Sequence, residues 1–151
     1  MIRKFYRIKL SAEDVNTAGK PLEAARDELV EEVAVIRKQN SQPPLDTDAV
    51  KMQRKQMPSK RDAEKMILKE LVSEAFEGSK NDIAILCQIS ETCRDIDDSD
   101  GEVLFSEADY ALITKGYKAK KDEWRPPRWW FDCKELWSQI VNAKPEEKEI
   151  E

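Results

Sequence analysis

Apolar and polar positions alternate at the start of the chain, which is typical of an extended strand. One side of residues 2–10 carries Ile2, Tyr6, Ile8 and Leu10, while the other carries Phe5 among basic residues. A single strand needs a partner, and the nearest candidate is Val103-Leu104-Phe105, which follows the turn-like segment 98–101. Pairing with another chain is equally compatible with this pattern.

A period of three to four residues then predicts helices. The first of them begins at Pro21 and carries a narrow apolar stripe: Leu22, Ala25, Leu29, Val33 and Ile36. The stripe resembles a coiled-coil seam, but it is too short for sustained heptads, so we expect it to pack within its own domain. A broad apolar face over 63–76, capped by Ser59 or Asp62, belongs in the core. Residues 82–94 carry apolar groups on more than one side, which indicates a helix packed between neighbours.

Two more helices complete the predicted fold. Ser106 and Asp109 form a variant of the capping box that opens a helix reaching Tyr117. Pro126 and Pro127 set the entry to the last helix, whose apolar arc is long: Trp129, Trp130, Cys133, Leu136, Trp137, Ile140 and Val141. We therefore predict a mainly α fold, a single helical domain of about five helices with a short N-terminal β-strand. That strand pairs in a small hairpin or with another chain.

The domain is expected to span residues 1–143, interrupted by a mobile basic loop at 40–61. Pro43 and Pro44 stop the first helix, and the segment after them is polar and basic with little to bury. We interpret this loop foremost as a solvated connection. Its alternative role is a contact with nucleic acid or an acidic protein surface through Lys51, Arg54 and Lys55. Residues 144–151 are predicted to be a disordered acidic tail.

Composition narrows the classes of partner and compartment. The 151 residues carry a formal net charge of -5, which argues against general affinity for nucleic acid or anionic lipid. No apolar stretch approaches the roughly 20 residues of a membrane span, and the first residues lack a signal-peptide core, so we expect a cytoplasmic protein. The three cysteines form no C-x-x-C pair, and we interpret them as reduced thiols in the core.

Candidate chemistry is sparse because the chain contains no histidine. This removes histidine general acid/base catalysis and the usual nucleophile pairs, and no Gly-rich phosphate loop takes their place. Gly101 lies in a partial calcium-loop pattern with Asp98, Asp100 and Glu107, but the first ligand position falls on Ile96. We therefore predict no catalytic residues, no cofactor, no metal site and no small-molecule substrate.

The Trp-Arg segment around residues 124–131 provides the best candidate for a partner surface. Its rings have three interpretations: core of the last helix, an interface hot spot, or a stacking surface for single-stranded nucleic acid. Most rings are assigned to the core. Phe131 is the exception, because at 100° per residue it lies far from the apolar arc and faces outward. An exposed Phe131 beside Arg125 and Arg128 indicates a binding surface.

The segment from Asp82 to Val141 contains Leu86-Cys87-Gln88-Ile89, Gly101-Glu102-Val103, Ser106 to Ile113, and a closing helix from Pro127 to Trp137. In this order of elements it resembles small accessory proteins encoded among the late genes of tailed phages. The resemblance implies a non-enzymatic, chaperone-like part in virion or tail assembly in the host cytoplasm. It assigns no functional residue, and the first 60 residues do not share it.

The leading hypothesis is a protein-interaction module with a protein partner, including a second copy of itself. One alternative is an acidic inhibitor or mimic that binds a host nucleic-acid-binding protein. Another is a nucleic-acid binder that uses the basic loop and the Trp-Arg segment. Clustering of two acidic groups on one face favours the mimic and dispersal favours assembly; the groups are Glu23, Asp27 and Glu31, and Asp95, Asp97, Asp98 and Asp100.

Overall fold

The computed structural model describes residues 1–74, 82–121 and 128–149, with the backbone alone at 128 and 129. These residues are mainly helical with a small sheet, which confirms the predicted fold class. In chain order the elements are β1 (Ile2–Lys9), α1 (Leu22–Gln39), α2 (Thr47–Lys55), α3 (Lys60–Glu74), α4 (Ile83–Asp98), β2 (Glu102–Ser106), α5 (Glu107–Lys120), a short 3-10 helix (Arg128–Asp132), α6 (Lys134–Asn142) and β3 (Glu146–Glu149). The chain divides into two compact units, Ala12–Ala63 and the remainder.

The sheet is antiparallel with β1 in the centre and the order β2-β1-β3. Tyr6 lies opposite Phe105 and Ile8 opposite Val103, so the predicted pairing of the first strand within the chain is confirmed. Because side chains alternate between faces, these four residues share one face of the sheet. Ile8, Val103 and Phe105 are buried there.

Helices α5 and α6 pack against this buried face. The ring of Tyr6 stacks on that of Tyr110 at a centroid distance of 3.9 Å, and the Tyr110 hydroxyl donates to the Ile140 carbonyl. The broad apolar face predicted for α3 is confirmed over its described part, where Ile67, Leu68, Leu71 and Val72 are fully buried. Ala75 and Phe76, the rest of that predicted face, lie outside the described residues.

The other unit, residues 12–63, contains α1 and α2. Asp46 caps α2 by accepting a hydrogen bond from the Ala49 amide at 2.8 Å. Arg54 near the end of α2 is ion-paired with Glu23 and Asp27 near the start of α1. The prediction of an irregular loop over residues 40–61 is therefore wrong for 47–55. The helix there has a side-chain cap and ion pairs with α1, and the apolar pattern of the segment reports neither of them.

The prediction of a disordered acidic tail is also wrong, because residues 146–149 form β3. This strand pairs with β1 with Lys4 opposite Glu147 and Phe5 opposite Glu146. Arg7 of β1 also donates to the Glu146 carboxylate at 3.1 Å. The acidic tail thus finds backbone partners on β1, one directly opposite pair of unlike charge and the ion pair with Arg7, whereas Arg3 lies opposite Lys148.

Three local predictions need correction in the helices. The last helix is broken at Cys133, which separates the 3-10 helix from α6. Within α6, Leu136 and Ile140 are buried but Val141 is exposed rather than part of the buried arc. In α4, Ile83 and Leu86 are exposed and the buried positions are Ile89, Thr92 and Ile96, so this helix buries one face instead of two.

Candidate interaction surfaces

Phe131 is the one side chain of the predicted Trp-Arg surface whose position the structure describes. It is 61% exposed, whereas the adjacent Trp130 is only 7% exposed, which confirms the predicted difference in orientation. Arg125 lies outside the described residues, and at Arg128 the description covers the backbone alone. The proposed juxtaposition of Phe131 with two guanidinium groups therefore stays a prediction.

The three candidate basic residues of α2 fall into two classes. Arg54 donates to both Asp27 and Glu23, and these hydrogen bonds raise the pKa of its guanidinium above the usual value. Lys51 and Lys55 are exposed, one helical turn apart, and form no ion pair within the described part of the chain. Arg54 thus holds α2 against α1. Of the three residues predicted to contact nucleic acid or an acidic protein surface, two lysines remain available.

Burial of the apolar stripe on α1 decreases along the helix. Leu22 and Ala25 are buried, Leu29 and Val33 are half-buried, and Ile36 at the end of the stripe is 54% exposed. The expected packing of α1 within the domain is therefore complete only in its first two turns. Its last turns present apolar side chains to solvent.

An acidic patch borders this exposed end of α1. Glu28, Glu31 and Glu32 surround Val35, which is 55% exposed, and together these four residues line a shallow groove of about 330 Å³. Glu32 precedes Val35 and Ile36 by three and four positions, so all three lie on adjoining parts of the helix surface. None of the three glutamates forms an ion pair within the described residues. The patch therefore combines uncompensated carboxylates with exposed aliphatic groups.

Several of the carboxylates considered for an acidic mimic are already neutralised. Glu23 and Asp27 are paired with Arg54, and Asp97 accepts from Lys69 at 2.8 Å. An ion pair lowers the charge that such a group presents to a partner. The segment 95–100 still keeps the exposed Asp95 and Asp98 without an ion pair in the described structure, as the acidic patch on α1 keeps its three glutamates.

The turn that partly matches a calcium loop is occupied by a lysine. The Lys65 ammonium donates to the carbonyl oxygens of Asp97 and Ser99 at 3.1 and 2.6 Å. Across the described ranges, no group of three or more side chains is arranged to hold a metal ion. An ammonium at this turn places a positive charge where a calcium ion would need oxygen ligands.

The cysteines differ in exposure. Cys133 is buried, as expected of a core thiol, but Cys93 is half-buried and Cys87 is exposed, so the core prediction is wrong for Cys87. It is wrong because α4 buries the face of Ile89 and Ile96 and leaves the position of Cys87 outside. Burial raises the pKa of the Cys93 thiol, and the hydrogen bond from Ser73 and the charge of Lys69 oppose that effect.

We expect these differences to order the reaction of the three thiols with Ellman's reagent in the native protein. Cys87 should react first because it is exposed, and Cys93 more slowly because burial and a raised pKa leave less thiolate at a given pH. Cys133 should react only on unfolding. Stopped-flow absorbance with Cys87→Ser as the control checks this order. Loss of a slow phase instead of the fast phase in Cys87→Ser contradicts the assignment.

The outer face of the sheet carries functional candidates that sequence reasoning missed. Arg7 bridges Glu102 of β2 and Glu146 of β3, and Phe5 and Leu104 lie beside it. Leu104 is 52% exposed, and a groove of about 410 Å³ lies along this face. The alternation of β1 already placed Phe5 on the basic side of the strand. An aromatic residue among basic ones was therefore a usable indication of an outward apolar group.

Comparison of the chain with protein-family models, with curated proteins and with solved structures gives no match. Within the described ranges, no helix is both long enough and apolar enough to cross a lipid bilayer.

Proposed function

We propose that the chain is a non-enzymatic protein-interaction module that binds a partner protein through the last turns of α1. The observation that carries this proposal is the exposed end of the apolar stripe at Ile36, bordered by the acidic patch. Exposed apolar groups rimmed by polar residues are typical of protein-protein interaction sites. A partner that binds such a helix face covers its aliphatic side chains, and the polar residues around them fix the alignment of the partner along the helix.

The charge of the patch defines the chemistry of the partner. Glu28, Glu31 and Glu32 lack basic partners in the described structure, so they are available to Lys or Arg of another protein. Val35 and Ile36 supply the apolar contact next to them. The matching ligand is an amphipathic segment with basic residues flanking an apolar face, bound as a helix against a helix.

Contacts within residues 12–63 make α1 a suitable platform. Arg54 joins α2 to α1 through Glu23 and Asp27, and Arg26 donates to the Met57 carbonyl at 3.1 and 2.9 Å. A surface that is ordered before binding loses less conformational entropy when its partner arrives. The engagement of Arg54 also weighs against nucleic-acid binding by α2, because it removes one of three candidate phosphate contacts.

The wider role follows from the sequence. The absence of histidine and of a phosphate-binding motif supports a role without catalysis. The resemblance of residues 82–141 to late-gene phage accessory proteins supports a role in virion or tail assembly. Because α1 lies outside that segment, this proposal assigns partner choice to the N-terminal part of the chain.

Site-specific photo-cross-linking tests the proposed surface. A photo-reactive residue at Ile36 should capture a discrete partner in source cells, and the cross-linked peptide should carry Lys or Arg three or four positions apart beside apolar residues. The same probe at exposed Lys118 on α5 serves as the control. Equal capture from both positions, or an acidic peptide at position 36, contradicts the proposal.

Charge reversal provides the quantitative arm of this test. Replacing Glu28 and Glu32 by Lys should weaken binding of the captured peptide at least about tenfold, or about 1.4 kcal/mol. Reversal of the exposed Glu107 on α5 should leave it unchanged. Displacement of the partner by double-stranded DNA would instead identify the acidic-mimic alternative, because a mimic occupies a nucleic-acid site.

A further inference from the structure

The two outer strands of the sheet differ in how they protect their free edges. Strand β3 reads Glu-Glu-Lys-Glu, whereas the centre of β2 is Val103-Leu104-Phe105 without a charge or a proline. Natural proteins protect edge strands with charged residues, proline, bulges or a covering element. Charge protects β3 in this way, and the three central residues of β2 lack both charge and proline.

The hydrogen bonds of Lys9 in the neighbouring strand β1 show which way the backbone groups of β2 point. The carboxamide of Gln139 accepts from the Lys9 amide at 2.7 Å and donates to the Lys9 carbonyl at 2.9 Å. Lys9 therefore does not exchange backbone hydrogen bonds with Glu102, which lies opposite it. Opposite residues in an antiparallel pair of strands alternate between hydrogen-bonded and non-hydrogen-bonded pairs. The pair of Arg7 with Leu104 lies two residues from the pair of Lys9 with Glu102, so it is also non-hydrogen-bonded.

The main-chain groups of Leu104 consequently point away from β1, toward the free edge. Outside the strand ladder, no backbone hydrogen bond to the amide or the carbonyl of Leu104 is found within the described ranges. Its side chain lies on the outer face of the sheet and is 52% exposed. Leu104 thus offers an unpaired donor, an unpaired acceptor and an apolar side chain at one point of the edge.

We infer that β2 pairs antiparallel with β2 of a second copy of the chain, centred on Leu104. In this register the two Leu104 residues exchange both backbone hydrogen bonds, Val103 faces Phe105, and Glu102 faces Ser106. Apolar residues meet apolar residues, and the only carboxylate of the strand meets a hydroxyl. No like charges oppose each other, so the register is self-complementary.

Strand β3 cannot form the equivalent contact. Every antiparallel self-pairing that overlaps three or more of its residues places a glutamate opposite a glutamate. Like charges directly opposite each other destabilise a strand pair. The second copy is therefore directed to β2, and the two three-stranded sheets join into one continuous sheet.

This surface is independent of the partner surface proposed for α1, because it uses a different strand and a different chemistry. The two proposals can therefore fail separately. Substitutions at Leu104 should leave cross-linking from position 36 unchanged, and charge reversal on α1 should leave the self-association unchanged.

Sedimentation of the full chain over a range of micromolar concentrations tests the inference. The wild-type chain should sediment as a monomer-dimer equilibrium, and Leu104→Lys should raise the dissociation constant at least about tenfold, because two ammonium groups then meet at the two-fold axis. Leu86→Lys, at an exposed leucine of α4, is the matched control and should sediment as wild type. A monomer at all concentrations, or an undiminished dimer in Leu104→Lys, overturns the inference.

Disulfide trapping gives a direct readout that does not depend on a loss of binding. In a Cys87→Ser background, Leu104→Cys should form a covalent dimer on mild oxidation, because directly opposite strand residues have Cα atoms about 5.5 Å apart, within disulfide range. Leu86→Cys in the same background should remain monomeric. Equal cross-linking of both variants also overturns the inference.

Discussion

Trp130→Ala should be strongly destabilising, lowering the free energy of unfolding by about 3–5 kcal/mol, the range for truncating a buried Trp or Phe. The indole is 7% exposed, and the Trp130 carbonyl accepts a hydrogen bond from the Trp137 indole nitrogen at 2.9 Å. Truncation removes most of a buried indole, and the surrounding side chains refill such a cavity only in part. Denaturant midpoints by circular dichroism measure this loss.

Phe131→Ala is the matched control for that experiment. Its ring is 61% exposed, so truncation should change stability by about 0.5 kcal/mol or less, as for most surface substitutions. A change in association without a change in the unfolding midpoint would mark Phe131 as a contact residue. Equal and large destabilisation by both variants would place Phe131 in the core and remove it from the candidate surface.

Strands and helices that are specified by residues close together in the sequence could be predicted. The alternation of β1 and the broad apolar face of α3 report burial within a few residues, and Ser106 caps α5 through the Asp109 amide, as its spacing indicated. The partner strand of β1 was also predicted, because a short apolar run that directly follows a turn is typical of a strand. In each of these cases, periodicity and capping agree with tertiary packing.

Elements that depend on distant partners were not predictable. Strand β3 has no apolar residue in its four positions, and it forms by pairing with β1, which lies nearly the whole chain away in sequence. Helix α2 is capped locally by Asp46, but its ion pairs between Arg54 and α1 join residues that no local pattern relates. A polar composition therefore suggested disorder where strand pairing and contacts between helices produce order.

The candidate surfaces show the same division. The exposure of Phe131 followed from helical geometry over neighbouring residues, although the break at Cys133 limits that argument to the 3-10 helix. The decrease in burial along α1 could not be predicted, because an apolar stripe reports what a helix can bury and not how far its neighbours extend. The open edge at Leu104 required the register of β1 with β2 and the position of Gln139.

Gly116 provides the second large expected effect, because α5 approaches α3 closely at this residue. A Cβ atom built on Gly116 would lie 1.9 Å from the carbonyl oxygen of Leu71 and 2.7 Å from its carbonyl carbon. Both atoms belong to the backbone of a fully buried residue, so relief requires the two helices to separate. Only glycine fits this approach.

Gly116→Ala should therefore lower the free energy of unfolding by about 2 kcal/mol, because overpacking costs about 1–3 kcal/mol or more and outweighs the gain of about 1 kcal/mol from a better helix former. Gly101→Ala is the control, since a Cβ there meets nothing within 4 Å, and its effect should stay within about 0.5 kcal/mol. Thermal and urea unfolding of both variants measure the difference. An unchanged or raised midpoint for Gly116→Ala would mean that α3 and α5 do not pack at backbone contact, and that helix propensity alone decides the outcome at this position.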